Sequence, residues 1–343
     1  MTYPLLKKIL YSIIICVITL SFYTTVFAQT NMLNSSNDIS VGLIPATPQP
    51  NQEVLVTIES YSINLDTSKI SWYLNDTLVT QGIGVKKTSI KVGALGSTNV
   101  LRIRVESGIE VFTKIINISP SSVTILWEAQ TYTPPFFKGK ALFTHQSLIK
   151  FFAAPQIIVN NREIPKEDLI YTWSKDGSVL GDESGYGKYT LSINGSIISR
   201  TLSIDVTVQD PKSGISAFNT IDITPQEPEI VFYKKDPLYG TQYQKALSDR
   251  IPLNTREFTI DAVPYFFSTS RAIRSGALSF SWSVNGSNIE NIDTDLVRTF
   301  RTTGNDFGSA NISLSIEQPQ RILQYTSKSI TVDFIKENSD QTF

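Results

Sequence analysis

The chain has 343 residues, enough for two or three domains, and its 30 basic and 31 acidic residues nearly cancel. That balance leaves no basic stripe for a nucleic-acid partner, and one histidine and one cysteine leave little for metal, thiol or imidazole chemistry. Abundant Ser, Thr, Asn, Ile and Val favour strands and turns, so the expected class is all-β.

Residues 1–28 have the layout of an export signal. Lys7 and Lys8 precede an apolar stretch over residues 9–27, and Val26 and Ala28 place a cut between Ala28 and Gln29. The stretch is also close to the length of a spanning helix. The alternative is therefore an uncleaved anchor through which residues 9–27 tether the chain to a membrane. Cys16 lies inside this segment, so the mature chain would hold no thiol and its modules must be held by packing alone. Residues 29–38 are expected to form a polar, flexible leader.

A first module is expected over residues 39–119. Ile70, Trp72 and Leu74 alternate with Ser71, Tyr73 and Asn75; Leu101, Ile103 and Val105 alternate with Arg102 and Arg104. This period of two marks half-buried antiparallel strands. The outline of "ISWYLND" returns as "YTWSKDG" and "FSWSVNG", and each copy is followed by further alternating strands. The repeat spans about a domain's length, so it indicates tandem modules rather than a solenoid. A second module is expected over 120–224 and a third over 225–336, separated by Pro120, Pro225 and Pro228, with a polar tail at 337–343. Trp72, Trp173 and Trp282 are expected on the inner faces of two-sheet sandwiches, filling cores that no disulfide supports. Asp176-Gly177 and Asn285-Gly286 are strong tight-turn pairs after the tryptophan strand; Asn75-Asp76 occupies the same place with weaker turn chemistry.

The second and third modules each carry an insert after their first strand, "TYTPPFFKGKALFTHQ" and "DPLYGTQYQKALSD". Tyr132, Phe136, Phe137, Tyr239 and Tyr243 lie in or beside these inserts. As exposed loop aromatics they are a possible binding surface. The plainer expectation is that a repeated insert caps a sandwich edge or packs on the neighbouring module. "VPYFFSTS", from Val263, alternates poorly and is expected to mix core and interface positions.

The W-x-x-[ND]-[DG] element, the "GKYTLSI" strand and the closing "NTIDITP" strand resemble those of immunoglobulin-like and PKD-like β-sandwiches of exported bacterial proteins. "YLNDT", "SKDGS" and "SVNGS" depart from the fuller acidic turn of PKD-like modules, which favours a general Ig-like relationship. The resemblance implies three tandem Ig-like antiparallel sandwiches after an N-terminal signal or anchor helix. It also implies a role as spacer, adhesive stalk or interaction module.

Enzyme chemistry finds little support in the sequence. There is no GxSxG elbow, P-loop or HExxH pair, and His145 is the sole imidazole, expected in solvent on a loop. Asp182 and Glu183 lie in a turn-rich stretch, and neither they nor Glu227 and Glu229 have the spacing of a calcium loop. No catalytic residue, metal or cofactor is expected. The reading is an exported, non-enzymatic scaffold or interaction protein, at the cell surface, in the periplasm or outside the cell. Its partner would be an unidentified protein or a surface glycan. A carbohydrate-binding or adhesion role through the aromatic inserts is the alternative, and a carboxylate-based hydrolase a remote one.

Overall fold

The computed structural model describes residues 39–135, 137–198, 200–253, 255–268, 278–289, 296–301 and 308–334. The expected signal or anchor helix, the leader and the polar tail lie outside these residues. Among the described residues no helix is long and apolar enough to cross a membrane. The chain divides into two compact units, Met1–Ser121 and Ser122–Phe343.

The first unit holds one sandwich. Its strands are β1 (Ser40–Ile44), β2 (Glu53–Glu59), β3 (Lys69–Leu74), β4 (Thr77–Ile83), β5 (Lys87–Lys91), β6 (Asn99–Ser107) and β7 (Glu110–Ile118). They form two antiparallel sheets, ordered β1-β2-β5 and β4-β3-β6-β7. Val54, Val56 and Ile58 of β2 meet Ile70, Trp72, Leu101, Ile103 and Val105 of the facing sheet in one core.

The second unit repeats this plan twice. Strands β8 (Ser122–Ala129), β9 (Leu148–Gln156), β10 (Ile158–Val159), β11 (Arg162–Glu163), β12 (Ile170–Lys175), β13 (Ser178–Val179), β14 (Gly185–Tyr186), β15 (Thr190–Asn194), β16 (Leu202–Gln209) and β17 (Ser216–Ile223) build the second sandwich. Its sheets run β15-β9-β8 and β13-β12-β16-β17. Then follow β18 (Glu229–Asp236), β19 (Gly240–Ala246), β20 (Arg250–Leu253), β21 (Glu257–Tyr265), β22 (Ser279–Val284), β23 (Ser287–Asn288), β24 (Val297–Arg301), β25 (Gly308–Glu317) and β26 (Tyr325–Phe334). They make sheets β19-β18-β21-β24 and β20-β26-β25-β22-β23. The second insert supplies β19, and β20, which follows it directly, runs parallel to β26 at the opposite sheet's edge. The architecture is all-β, with tandem Ig-like sandwiches.

The tryptophan strand occupies one position in all three. Trp72 faces Ile103, Trp173 faces Val206 and Trp282 faces Leu314 across the same kind of antiparallel ladder. The three indoles are 0%, 0% and 1% exposed. A buried indole must still satisfy its N–H. Trp72 Nε1 donates to the Val85 carbonyl at 2.9 Å and Trp173 Nε1 to the Lys188 carbonyl at 2.8 Å. Val85 and Lys188 each lie just ahead of the strand that closes the facing sheet, β5 or β15, so the indole binds both sheets together. In the third sandwich Phe232 of the facing sheet stacks on Trp282, ring centroids 5.7 Å apart.

The turn after each tryptophan strand is a two-residue hairpin, closed by the pairs Leu74–Thr77, Lys175–Ser178 and Val284–Ser287. Both central residues have positive φ in all three, 49° and 62° at Asn75-Asp76, 50° and 79° at Asp176-Gly177, 49° and 80° at Asn285-Gly286. This is the turn whose twist matches paired strands. Asn75-Asp76 therefore makes the same turn as its glycine-containing counterparts. The first residue explains the repeat of Asn or Asp: its side chain reaches the next strand. Asn75, Asp176 and Asn285 Oδ1 accept from the N–H groups of Val100, Ser203 and Asn311 at 2.9, 3.2 and 2.8 Å. The backbone N–H groups of Asn75, Asp176 and Asn285 donate in return to the Val100, Ser203 and Asn311 carbonyls.

Trp72→Ala is expected to destabilise the first sandwich by about 3–5 kcal/mol, read from its urea midpoint. Asn75→Ala leaves a left-handed alanine and a lost strand contact and should cost about 1–2 kcal/mol. Asp76→Gly relieves the second left-handed residue. It should be neutral or stabilising by up to about 1 kcal/mol, because the exposed Arg102 pair it removes contributes little. A clear loss of stability in Asp76→Gly would contradict this account of the turn.

At the edge of the third sandwich Arg250 Nε donates to Asp333 Oδ2 at 2.5 Å and Ser309 Oγ donates to Oδ1 at 2.6 Å. The Arg250 hydrogen bond, with that of Ser309, holds the Asp333 carboxyl down at about 2, from an ordinary value of 3.8. A depressed carboxyl contributes its stabilisation above its unfolded value and loses it as pH falls through its folded value. Asp333→Asn should accordingly lower the melting temperature near neutrality and flatten its change between about pH 4 and pH 2, the two proteins converging at the acid end.

Candidate functional site

The first insert is organised by the faces of strands β18 and β21. Over residues 230–233 and 262–265 these strands are apolar on both sides. Ile230, Phe232, Ile260 and Ala262 enter the third core, while Val231, Tyr233, Val263 and Tyr265 form a second, outward cluster. Strands buried on both faces read as continuous apolar runs, which is why "VPYFF" lacks alternation. Tyr132 and Leu142 of the first insert pack on that outward cluster. Phe137 sets its ring edge-on to Tyr265 and Phe266, with centroids 5.7 and 6.1 Å apart. The Tyr233 and Tyr265 hydroxyls are 2.7 Å apart beneath it. Burial, reinforced by that hydrogen bond, pushes the Tyr265 phenol above its ordinary range.

Backbone pairing fixes the same junction. Tyr132 N donates to Phe267 O, and Phe266 N donates to Tyr132 O, both at 2.8 Å. Gln226 N donates to Phe143 O at 2.8 Å. Gln324, 0% exposed, is the polar centre of the contact. Its Oε1 accepts from Ser268 N at 2.9 Å and its Nε2 donates to His145 O at 2.5 Å. Gln146 Oε1 accepts from Leu323 N at 3.2 Å. The second and third sandwiches are thus joined by strand-like bridges, an aromatic cluster and a buried amide.

His145 corrects the sequence expectation. It is 7% exposed, not in solvent, because the insert carrying it is pressed into this junction. Its Nδ1 is buried with no hydrogen-bond partner among the described residues. The adjoining cavity, lined also by Asp176 and Arg200, has a volume of about 60 Å³, too small for a substrate. Arg200 pairs with Asp176 at 2.7 Å, so neither is arranged to work with the imidazole.

The sequence-proposed aromatics separate. Tyr132 and Phe137 lie in the junction; Phe136 is outside the described residues. Tyr243 is edge-on to Tyr233 at 5.3 Å on the flank of the β18–β19 hairpin. Tyr239 is at the tip of that hairpin, 79% exposed, in a turn where Asp236 Oδ1 accepts from Leu238 N and Tyr239 N. The structure does not bring the four described ones into one surface. Sequence reasoning passed over two features. Trp127 on β8 covers the margin of the second core beneath Lys140, whose Nζ is 3.3 Å from the ring centroid. Burial lowers the Lys140 pKa, opposed by Glu128. The other is the outer face of the β22-β25-β26 sheet, where serines occupy position after position. "SFSWSV", "NISLSI" and "TSKSI" carry that signal openly, since alternate residues share one face. No group of three or more His, Cys, Asp or Glu able to hold a metal occurs among the described residues.

No protein-family model matches the chain, and no curated protein matches it. Several solved structures are similar to it at a distance. Three N-terminal domains of the Highly Immunogenic Outer Capsid protein of bacteriophage RB49 align with TM-score 0.26 and 9% identity, covering 87% of this chain and 99% of that one. Fibronectin(III)-like modules of Clostridium thermocellum CbhA align with TM-score 0.26 and 14% identity, covering 55% and 94%. Bacteroides ovatus SGBP-B, solved with a mixed-linkage heptasaccharide, aligns with TM-score 0.21 and 10% identity, covering 88% and 76%. Likenesses this remote carry no functional argument, and the assignment of fold rests on the sheets themselves.

Gln324→Ala leaves the Ser268 N–H and the His145 carbonyl without their partner and should cost the second unit about 1–3 kcal/mol. Amide exchange at Tyr132 and Phe266 should accelerate in both Gln324→Ala and Phe137→Ala, while Trp173 in the second core stays protected. Unchanged exchange at Tyr132 would mean that the junction does not depend on these side chains.

Proposed function

We propose that the chain is an exported, non-enzymatic interaction scaffold built from Ig-like modules. The observation that carries this reading is the commitment of the first insert to the junction. The longest irregular segment of the second sandwich is used to hold a neighbour, not to surround a substrate. Interfaces within a chain are ordinarily polar and mobile; here a buried amide and an aromatic cluster stiffen one, which suits a body that presents surfaces at fixed positions. Tyr239 and Leu238, each 79% exposed on the β18–β19 tip, favour a second reading in which the scaffold touches a surface or partner through that hairpin. Export rests on the N-terminal sequence alone.

Expression of the full chain in a bacterial host tests the proposal. The chain recovered outside the cytoplasm should begin at Gln29, and a panel of ester, peptide and glycoside substrates should show no turnover. Retention in the cytoplasm would remove export. Turnover abolished by Asp182→Asn with Glu183→Gln would replace the scaffold with a hydrolase.

A further inference from the structure

The two sheets of the third sandwich treat their outer faces differently. The front sheet carries apolar side chains outward and is covered by the first insert. The back sheet carries hydroxyls. Ser281 faces Ser315, which faces Ser327; one row along, Ser283 faces Ser313, which faces Ser329. At the end nearer the second sandwich the row is Ser279, Glu317 and Tyr325. Serines are poor strand formers compared with the β-branched residues that usually fill such rows. Their small size leaves a depression between larger neighbours. It forms an open groove of about 520 Å³, floored by Ser281, Ser315 and Ser327 and walled by Tyr325, Glu317 and Glu227.

We propose that this groove binds a neutral polysaccharide chain. Tyr325 is 66% exposed and stands above the hydroxyl floor, so one face of its ring can lie against the C–H face of a sugar ring. Serine hydroxyls both donate and accept, which matches the mixed donors and acceptors of sugar hydroxyls. Glu317 and Glu227 accept only, and charge-assisted bonds from sugar hydroxyls are the stronger ones. Neither carboxylate is in an ion pair among the described residues. Among the described residues no Lys, Arg or His lines the groove, which disfavours anionic polymers and phosphates. An open groove suits a chain better than a small molecule that must be enclosed. The floor stands on paired strands, so its hydroxyls are held in place before a ligand arrives. Glu227 comes from the segment linking the two sandwiches and keeps its place beside Glu317 because the Gln324 junction is rigid. The site goes beyond the scaffold reading and does not involve the insert aromatics.

The test is native affinity electrophoresis of the full-length chain in gels containing hydroxyethyl cellulose, galactomannan, xylan, dextran or polygalacturonate, with and without a chelator. At least one neutral polymer should retard the chain, polygalacturonate should not, and the chelator should change nothing. Tyr325→Ala should weaken retardation about tenfold or more in apparent Kd, and Glu317→Gln several-fold. Ser315→Trp, which fills the floor from an exposed position, should abolish it; an unchanged melting temperature for each variant excludes unfolding as the cause. The proposal is overturned if no neutral polymer retards the chain, if retardation needs a divalent cation, or if it survives Tyr325→Ala and is lost in Tyr239→Ala. Any of these outcomes leaves the scaffold reading standing, since that reading fails on turnover or cytoplasmic retention instead.

Discussion

The structure depends on an indole buried between two sheets and bonded to the far one. Trp72 and Trp173 fill the core and also send their N–H groups to backbone carbonyls just ahead of the facing sheet's closing strand. A phenylalanine could fill much of that volume but could not make the cross-sheet bond. The described sandwiches contain no cysteine, so nothing covalent shares the task. The hairpin that follows adds a second constraint. An Asn or Asp in left-handed conformation uses its side chain to pair with the neighbouring strand, which sets the register of the tryptophan strand from one end. Core filling, cross-sheet bonding and register are thereby concentrated within a few residues, and those are the residues that recur along the chain.

That concentration explains what the sequence made legible. Alternation in "ISWYL" and "LSIDVTV" reported half-buried strands directly, and the Trp-plus-turn outline reported three sandwiches. The turn at Asn75-Asp76 was harder to read, because its conformation is imposed by paired strands on residues that prefer it only weakly. Tertiary context also decided the remainder. "EIVFYKK" and "VPYFF" do not alternate, because each lies between a core and a covering insert. His145 sits in a polar, turn-rich stretch and looks like a surface residue by every local measure. It is buried because a segment far along the chain, ending in Gln324, closes over it. Local pattern carries no information about a partner nearly two hundred residues away.

The junction changes what kind of object the second unit is. Tandem sandwiches joined only by a proline-containing linker would reorient freely. Here the first insert takes up the outer face of one sheet, its aromatics share an apolar cluster with that sheet, and a buried glutamine bonds both partners. Breaking such a contact exposes apolar surface and strands a buried amide, each of which is costly. The second and third sandwiches therefore behave as one body whose surfaces keep fixed relations, and the linker's Glu227 becomes part of a defined surface rather than a mobile side chain.

The contrast between the two outer faces of the third sandwich then has a direct reading. A face that is to be covered by the same chain is made apolar, as Val231, Tyr233, Val263 and Tyr265 are. A face left to water needs polar residues, but it does not need serines. Threonine would satisfy solvent and would support the strands better. Rows of serine forgo strand propensity and side-chain cover to produce a smooth, hydroxylated floor, and the one large ring beside it, Tyr325, stays in solvent without a packing role to explain it. Solvation alone accounts for neither choice. A ligand rich in hydroxyls and presenting flat C–H faces accounts for both, because it would bond to the floor and stack on the ring.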